Sequence, residues 1–387
     1  MSSDFNFDVD PRTLRHPDNF KWTRYPADVL PLWIADMDYP IAPSIRKALT
    51  DRLTKSIGYH HYLGDPKLTA LLRQKLEADG ITGLPEEGSI AYIAGVVPGL
   101  YAAVVSLTQP GDDVITMTPI YPPFLSAITD HGRVLRTAPL ACTPTGWEID
   151  WDSLEAAVTP KTKLLLFCHP HNPTGRVWTE AELRKLAEFV ERHNLFIVSD
   201  ELHSDLIFDG KHIPFVQVAS EELKQRTVTL TGPCKTYNIA GLGSGAIVAH
   251  NPKLLLRIRR GIVGISAHMT ALSVTAWQAA LEDDGQWLAA VLKYLRENRD
   301  LVARFVRERL PGVVHFAPQA TYLAWFDYRA HPRAGDIQQY LLEHAKVALN
   351  DGALFGHGFQ GFVRLNFATG RTILMDALER LAKAHTP

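Results

Sequence analysis

Lys235 stands in "TGPCKTYNIAGLGSGAIV", residues 231–248, among small and apolar neighbours. A lysine in such company is either an exposed loop residue between strands or an amine that is paired or used. Other stretches pose the same kind of choice. In "HPHNPTGRVW" the Asn-Pro and Thr-Gly pairs mark a tight turn, and Asn172 is either part of that turn or a side-chain donor at the mouth of a sheet. Asp200 stands where the run "LFIVS" stops; a carboxylate there caps the next helix or, if buried, meets a cation. Arg364 lies inside "FVRLNFA", where an arginine calls for a carboxylate from the protein or from a ligand. In "AYIAGVVPGL" a strand-like run turns at Gly95, and Pro98 suits the first turn of a helix. A helix opened by such a turn offers free N–H groups and a positive dipole end, which suit a phosphate.

These parts have one joint explanation. A lysine amine, an aspartate for a ring nitrogen, N–H groups for a phosphate and an arginine for a carboxylate are what pyridoxal phosphate and an amino acid substrate require. The aspartate would keep the ring nitrogen protonated by charge pairing.

The elements that must position these residues follow from the patterning. "DVITMTP" (113–119), "KLLLFCHP" (163–170), "LFIVSDE" (195–201), "TVTLTG" (227–232) and "GAIVAH" (245–250) read as strands ending in turn residues. "TEAELRKLAEFVERHN" (179–194) has helical periodicity behind a Thr-x-x-Glu start. Such alternation implies an α/β layer with a mostly parallel sheet, whose ligands sit at the carboxyl ends of the strands. From about residue 285 the pattern changes to a long helix (285–310), then "TYLAWFDY" (321–328), a helix and "FVRLNFA" (362–368), as in a smaller α+β domain. The expected division is a large domain over 50–285, with 1–49 and 286–387 forming the small one.

The 387 residues suffice for two domains, and 46% hydrophobic with 21% charged residues is ordinary for a globular protein. A net charge of −2 argues against nucleic acid or a membrane surface as the main partner. The N-terminal stretch has no apolar core of a signal peptide, and "AYIAGVVPGLYAAVVSL" is too short and too broken for a membrane span. The three cysteines, Cys142, Cys168 and Cys234, make no disulfide framework, and a cytoplasmic setting is expected.

The chain resembles the fold-type I pyridoxal-phosphate enzymes of the class I/II aminotransferase superfamily, and more closely their cystathionine β-lyase (carbon–sulfur lyase) branch, often called MalY/PatB. The resemblance runs from "LPLWIADMDYPIAPSI" through "IGYHHYLGDPKL", "GVVPGLYAAV", "TPIYPPF", "HPHNPTGRVWT", "VSDELHSDLIFDGKHIPF" and "CKTYNIAGL" to "GFVRLNFATGR". It implies that Lys235 is the Schiff-base lysine and the acid/base at Cα. By the same resemblance Asp200 pairs with the pyridine nitrogen, Asn172 bonds the ring hydroxyl, Tyr121 stacks on the ring, and His203 sits near the ring oxygen. Gly95, Val96 and Val97 hold the phosphate through backbone N–H groups, and Tyr59 reaches the phosphate of a neighbouring subunit, which implies a homodimer. Arg364 binds the substrate carboxylate, with Asp36 and Asn172 also in the substrate site. The implied reaction is elimination of a thiol from an S-substituted L-cysteine, giving pyruvate and ammonia; transamination is the alternative.

The chain departs from the superfamily pattern in places. A serine or threonine three residues before the lysine and an arginine eight after it are here Gly232 and Gly243, with Thr229 and Thr231 as possible phosphate ligands instead. Arg371 aligns with an arginine of the superfamily, but its turn reads "ATGR". A different class of site is also open at this point: His169, His171, Asp200, His203 and Asp205 have the residue types of a hydrolase metal centre. Cys234 reads as a small apolar filler beside the lysine.

Overall fold

A computed structural model describes residues 5–61 and 64–385; residues 1–4 of the N-terminal segment, 62–63 within "GYHHYLGDPKL", and 386–387 lie outside the described residues. At its centre is a seven-stranded sheet of β1 (Ile90–Ile93), β2 (Asp113–Thr118), β3 (Val134–Pro139), β4 (Thr162–Cys168), β5 (Phe196–Asp200), β6 (Thr227–Thr231) and β7 (Gly245–Val248), in the order β1-β7-β6-β5-β4-β2-β3. Only β7 runs against its neighbours, and the pairs from β6 to β3 are all parallel. The central strands are apolar because both faces are covered, as parallel sheets require. One face packs with helix α1 (Val96–Leu107) through Leu100, Val104, Val198 and Leu230. The other packs with α2 (Glu180–Arg192) through Leu183, Leu186, Phe167 and Ile197. The Thr179–Glu182 capping box expected from the sequence starts α2.

Strand β3, absent from the sequence reading, forms the edge of the sheet; "VLRTAP" is largely exposed and offers no apolar run to recognise. Gly99 lets α1 lie against the sheet, because a Cβ there would come within 2.6 Å of Ile93 Cδ1.

A second, four-stranded antiparallel sheet is formed by β8 (Val314–His315), β9 (Leu323–Asp327), β10 (Asn350–Asp351) and β11 (Phe362–Asn366), in the order β8-β9-β11-β10. Its core also takes in Leu30, Leu32, Met37 and Ile45 from the N-terminal segment and Leu295 and Val302 from the long helix α3 (Gln286–Arg309). Residues 30–38 form an extended strap along this core. Leu30 and Leu32 donate to the carbonyls of Lys346 and Ala348, Asn366 N–H donates to Leu32, and Asp38 N–H donates to Ala368.

Candidate active site

The strands β1, β2, β4, β5 and β6 all point their carboxyl ends at one cavity of about 430 Å³. Gly95, Val96, Val97, Tyr121, Asn172, Asp200, His203, Lys235, Arg364 and Asp36 all line it. Of the residues to which the resemblance gives a role, Tyr59 alone is not among them. That tyrosine is fully exposed at 102% and is outside the cavity of its own chain.

Lys235 follows β6 in the turn "GPCKTYN". Its amine donates to the carbonyl of Ala35 at 2.6 Å, so the strap is one wall of the site. Asn238, at φ +55°, fastens that wall: its amide donates to the carbonyls of Met37 and Tyr39 and accepts from Met37 N–H. Burial pulls the Lys235 amine below its ordinary range, opposed first by the Asp36 carboxylate. A lysine so placed has more of its neutral, nucleophilic form near neutral pH.

Asp200 ends β5. Its carboxylate accepts from Leu202 N–H at 3.1 Å, yet burial pushes it up to about 7. A carboxylate in that condition gains most from a cation placed against it. His203 is buried, held neutral with its value pulled down to about 3 by burial and by Lys235 and Arg364, and its Nδ1 has no partner among the described residues.

Arg364 lies on β11 with only 3% of its surface exposed. Its guanidinium donates to Asn172 Oδ1 at 3.0 Å, Asn350 Oδ1 at 2.6 Å and the Trp33 carbonyl at 3.3 Å. All three acceptors are neutral, no carboxylate among the described residues pairs with it, and its Nε is buried without a partner. Burial lowers its value to about 10. A buried cation without a counter-ion is costly, and the missing charge has the character of a bound carboxylate.

Helix α1 opens at Gly95, whose φ of +131° favours glycine, and no side chain caps it. Its first N–H groups are left for a ligand. Gly243 and Gly245 crowd the same turn: a Cβ at Gly243 would lie 3.1 Å from the Ala94 carbonyl oxygen, and one at Gly245 would lie 3.3 Å from the Gly95 carbonyl carbon. The absent serine or threonine before the lysine has a physical reason as well, since a Cβ at Gly232 would come within 2.8 Å of the Ser244 carbonyl. Tyr121 precedes the helix Pro122–Thr129 with its phenol raised by burial.

Several expectations are corrected. Thr231 lines a different cavity, with Lys75, Asp205 and Tyr237, and Thr229 is buried within β6, so neither supplies a phosphate ligand on this side of the sheet. Arg371 starts the C-terminal helix and pairs with Glu297 at 2.7 Å, outside the cavity. The residues of the metal reading do not converge. His169 bonds the Ile213 carbonyl, His171 bonds Thr174, Asp205 pairs with Lys75, and no metal-holding group of three or more such residues occurs among the described residues. Cys234 packs with its thiol on the Ser244 carbonyl.

Sequence reasoning missed Asn350, Tyr322 and Asn366. Asn350 sits in a two-residue strand facing Arg364 in register and carries no pattern of its own. The Tyr322 hydroxyl donates to the Ala35 carbonyl at 3.0 Å. Asn366 donates to the carbonyls of Ile34 and Asp36, and its signal was the polar residue ending the run "VRLN".

The donor set and the cradle fit pyridoxal phosphate. Residues 27–381 match the family "Aminotransferase class I and II". The chain is 36% identical over 367 residues to cystathionine beta-lyase PatB of Bacillus subtilis, covering 92% of each. It superposes on the crystal structure of OvoB with a TM-score of 0.92 at 37% identity, covering 99% of both chains. It superposes on cystalysin from Treponema denticola, whose structure contains pyridoxal 5'-phosphate, with a TM-score of 0.91 at 31% identity over 99% of both chains. No helix among the described residues is long and apolar enough to cross a membrane.

Proposed function

The chain belongs to the class I and II aminotransferase family, and from that membership we propose that it is a pyridoxal-phosphate-dependent carbon–sulfur β-lyase, which eliminates a thiol from an S-substituted L-cysteine and leaves pyruvate and ammonia. The observation that carries the reading is the single cavity that unites Lys235, Asp200, Asn172, Tyr121, the open start of α1 and the counter-ion-free Arg364.

When bound, the cofactor supplies the electron sink that makes the substrate's Cα proton removable. Asp200 would pair with the ring nitrogen and keep it protonated. The N–H groups of Gly95, Val96 and Val97 would hold the phosphate, and Tyr121, Asn172 and His203, which line the same cavity, would hold the ring. Arg364, steadied by Asn172 and Asn350, takes the substrate carboxylate in a two-pronged contact. Lys235 would hold the cofactor, and its amine, lowered by burial, would take the Cα proton.

Tyr59 belongs to the site of a second subunit in a homodimer, which accounts for an exposed aromatic residue on a chain whose site lacks it. For the division into a 50–285 domain and a 1–49 plus 286–387 domain, the N-terminal segment shares a core with the second sheet, a core that also takes in Leu206, Phe208 and Ala276 of the larger part. A cytoplasmic setting is supported by the three free cysteines.

The test supplies L-cystathionine or an S-alkyl-L-cysteine without any keto acid. Pyruvate, ammonia and thiol in equal amounts over many turnovers are expected. A single turnover that resumes only on adding a keto acid would instead establish transamination, which the same lysine, aspartate and arginine can serve.

A further inference from the structure

Breaking a carbon–sulfur bond leaves a thiolate, and an alkyl thiolate is a strong base that departs more readily as it gains a proton. Burial of Tyr121 raises its phenol and makes it a poorer acid. His203 is neutral, and an imidazole N–H is weaker still. Asp36 differs. It stands in the cavity wall immediately after the carbonyl that holds the Lys235 amine at 2.6 Å. Its own carbonyl is pinned by Lys21 at 2.9 Å and by Asn366 at 2.6 Å, so the residue is fixed in place. The neighbouring Asp38 is taken up by Lys21 and Trp22, whereas the Asp36 carboxylate has no hydrogen bond or ion pair among the described residues.

We propose that Asp36 is the acid that protonates the departing sulfur, an inference that rests on the carbon–sulfur lyase reading. Lys235 takes the proton from Cα, and the electron pair released there forms the Cα–Cβ double bond. The Cβ–S bond breaks with its pair on sulfur, and sulfur takes the Asp36 carboxyl proton. The ammonium of Lys235 then returns a proton to the Asp36 carboxylate. One proton has moved from Cα to sulfur, and both side chains end as they began. Burial raises the Asp36 carboxyl above its ordinary range, opposed by Lys21 and Lys235 and reinforced by Asp38, which is the direction a proton donor requires.

The test compares leaving groups on the holoenzyme. S-methyl-L-cysteine must release a basic thiolate, whereas β-chloro-L-alanine releases chloride, which needs no proton. General acid catalysis is worth about 10²–10⁴-fold. At the low end of that range, Asp36→Asn is expected to lose about 10²-fold more kcat/KM on the thioether than on the chloride. Deuterium exchange at Cα of L-alanine, followed by NMR, should fall no further than the chloride reaction does. Asp36→Glu, which keeps the acid, should recover part of the thioether rate. Equal losses on both substrates, or collapse of Cα exchange in both variants, would overturn the proposal and leave Asp36 as an anchor for Lys235 or for substrate. If the unmodified enzyme releases no thiol from any S-substituted cysteine, the lyase reading fails first, and the proposal falls with it.

Discussion

Arg364 and Asp200 carry opposite versions of one problem: each is shielded from water, and neither has an ion pair among the described residues. For Arg364 the remedy is the substrate. Hydrogen bonds to charged groups are worth about 1.5–3 kcal/mol, so Arg364→Ala should lose on the order of 10- to 150-fold in kcat/KM for any amino acid substrate. Arg364→Lys should recover only part, since an ammonium cannot engage Asn172, Asn350 and a carboxylate in one plane. Steady-state kinetics on the two variants checks this. For Asp200 the remedy is the cofactor. Without a cation against it, its carboxyl is raised from 3.8 to about 7, so the folded state binds more protons than the unfolded state across that window. Cofactor-free protein should therefore lose stability as pH rises through the window, Asp200→Asn should flatten the slope, and added cofactor should remove it. Melting temperatures of the three preparations between pH 5 and 8 would show it; identical slopes for the wild type and the asparagine variant would count against the role.

The element that most shapes the site is the 30–38 strap. Asn366 ties it to β11 through two carbonyls, and Lys21 shares only one of them, that of Asp36. Asn366→Ala removes one bond from each carbonyl while Ile34 keeps the Asp36 N–H and Asp36 keeps Lys21, and a net hydrogen bond is worth about 0.5–1.5 kcal/mol. A loss of that size in urea unfolding is expected, together with a shifted pH titration of the bound cofactor's absorbance, because the carbonyl that holds Lys235 moves with the strap. Much of the site was legible because its residues follow strands: Gly95, Tyr121, Asn172, Asp200 and Lys235 each lie at or just past the end of an apolar run whose hydrophobicity marks it. What escaped reading did so for physical reasons. β3 is an exposed edge with no apolar signature, Asn350 acts only through its register against Arg364, and the Ala35 carbonyl is a backbone group that no side-chain pattern announces. Thr231 misled because alternate residues of a strand face opposite sides of the sheet, and its side faces the other cavity.

At the scale of the whole molecule, the proposed role of Tyr59, which is fully exposed and outside the cavity of its own chain, requires a site shared between two chains. Tyr59→Ala and Lys235→Ala subunits, each inactive as a homodimer, should regain part of the activity when mixed, since one site per mixed dimer is intact. Subunit exchange shown by mass spectrometry without recovered activity would reject a shared site. The strap has a consequence of another kind, for the order in which the molecule comes into being. Its bond from Asn366 to Ile34 spans 332 positions, and the one from Lys235 to Ala35 spans 200. Contacts so distant along the chain form slowly, and a chain emerging from the ribosome folds its earlier parts first. The cradle at Gly95, the lysine turn and the Asn238 end of the wall can therefore exist while translation continues, but the Ile34 and Asp36 end of the wall must wait for a strand made near the end. A nascent chain halted before Asn366 would carry Lys235, Asn238 and Tyr322 and still lack the two bonds that hold the Ile34 and Asp36 carbonyls, so the wall of the site is completed only with the last strand.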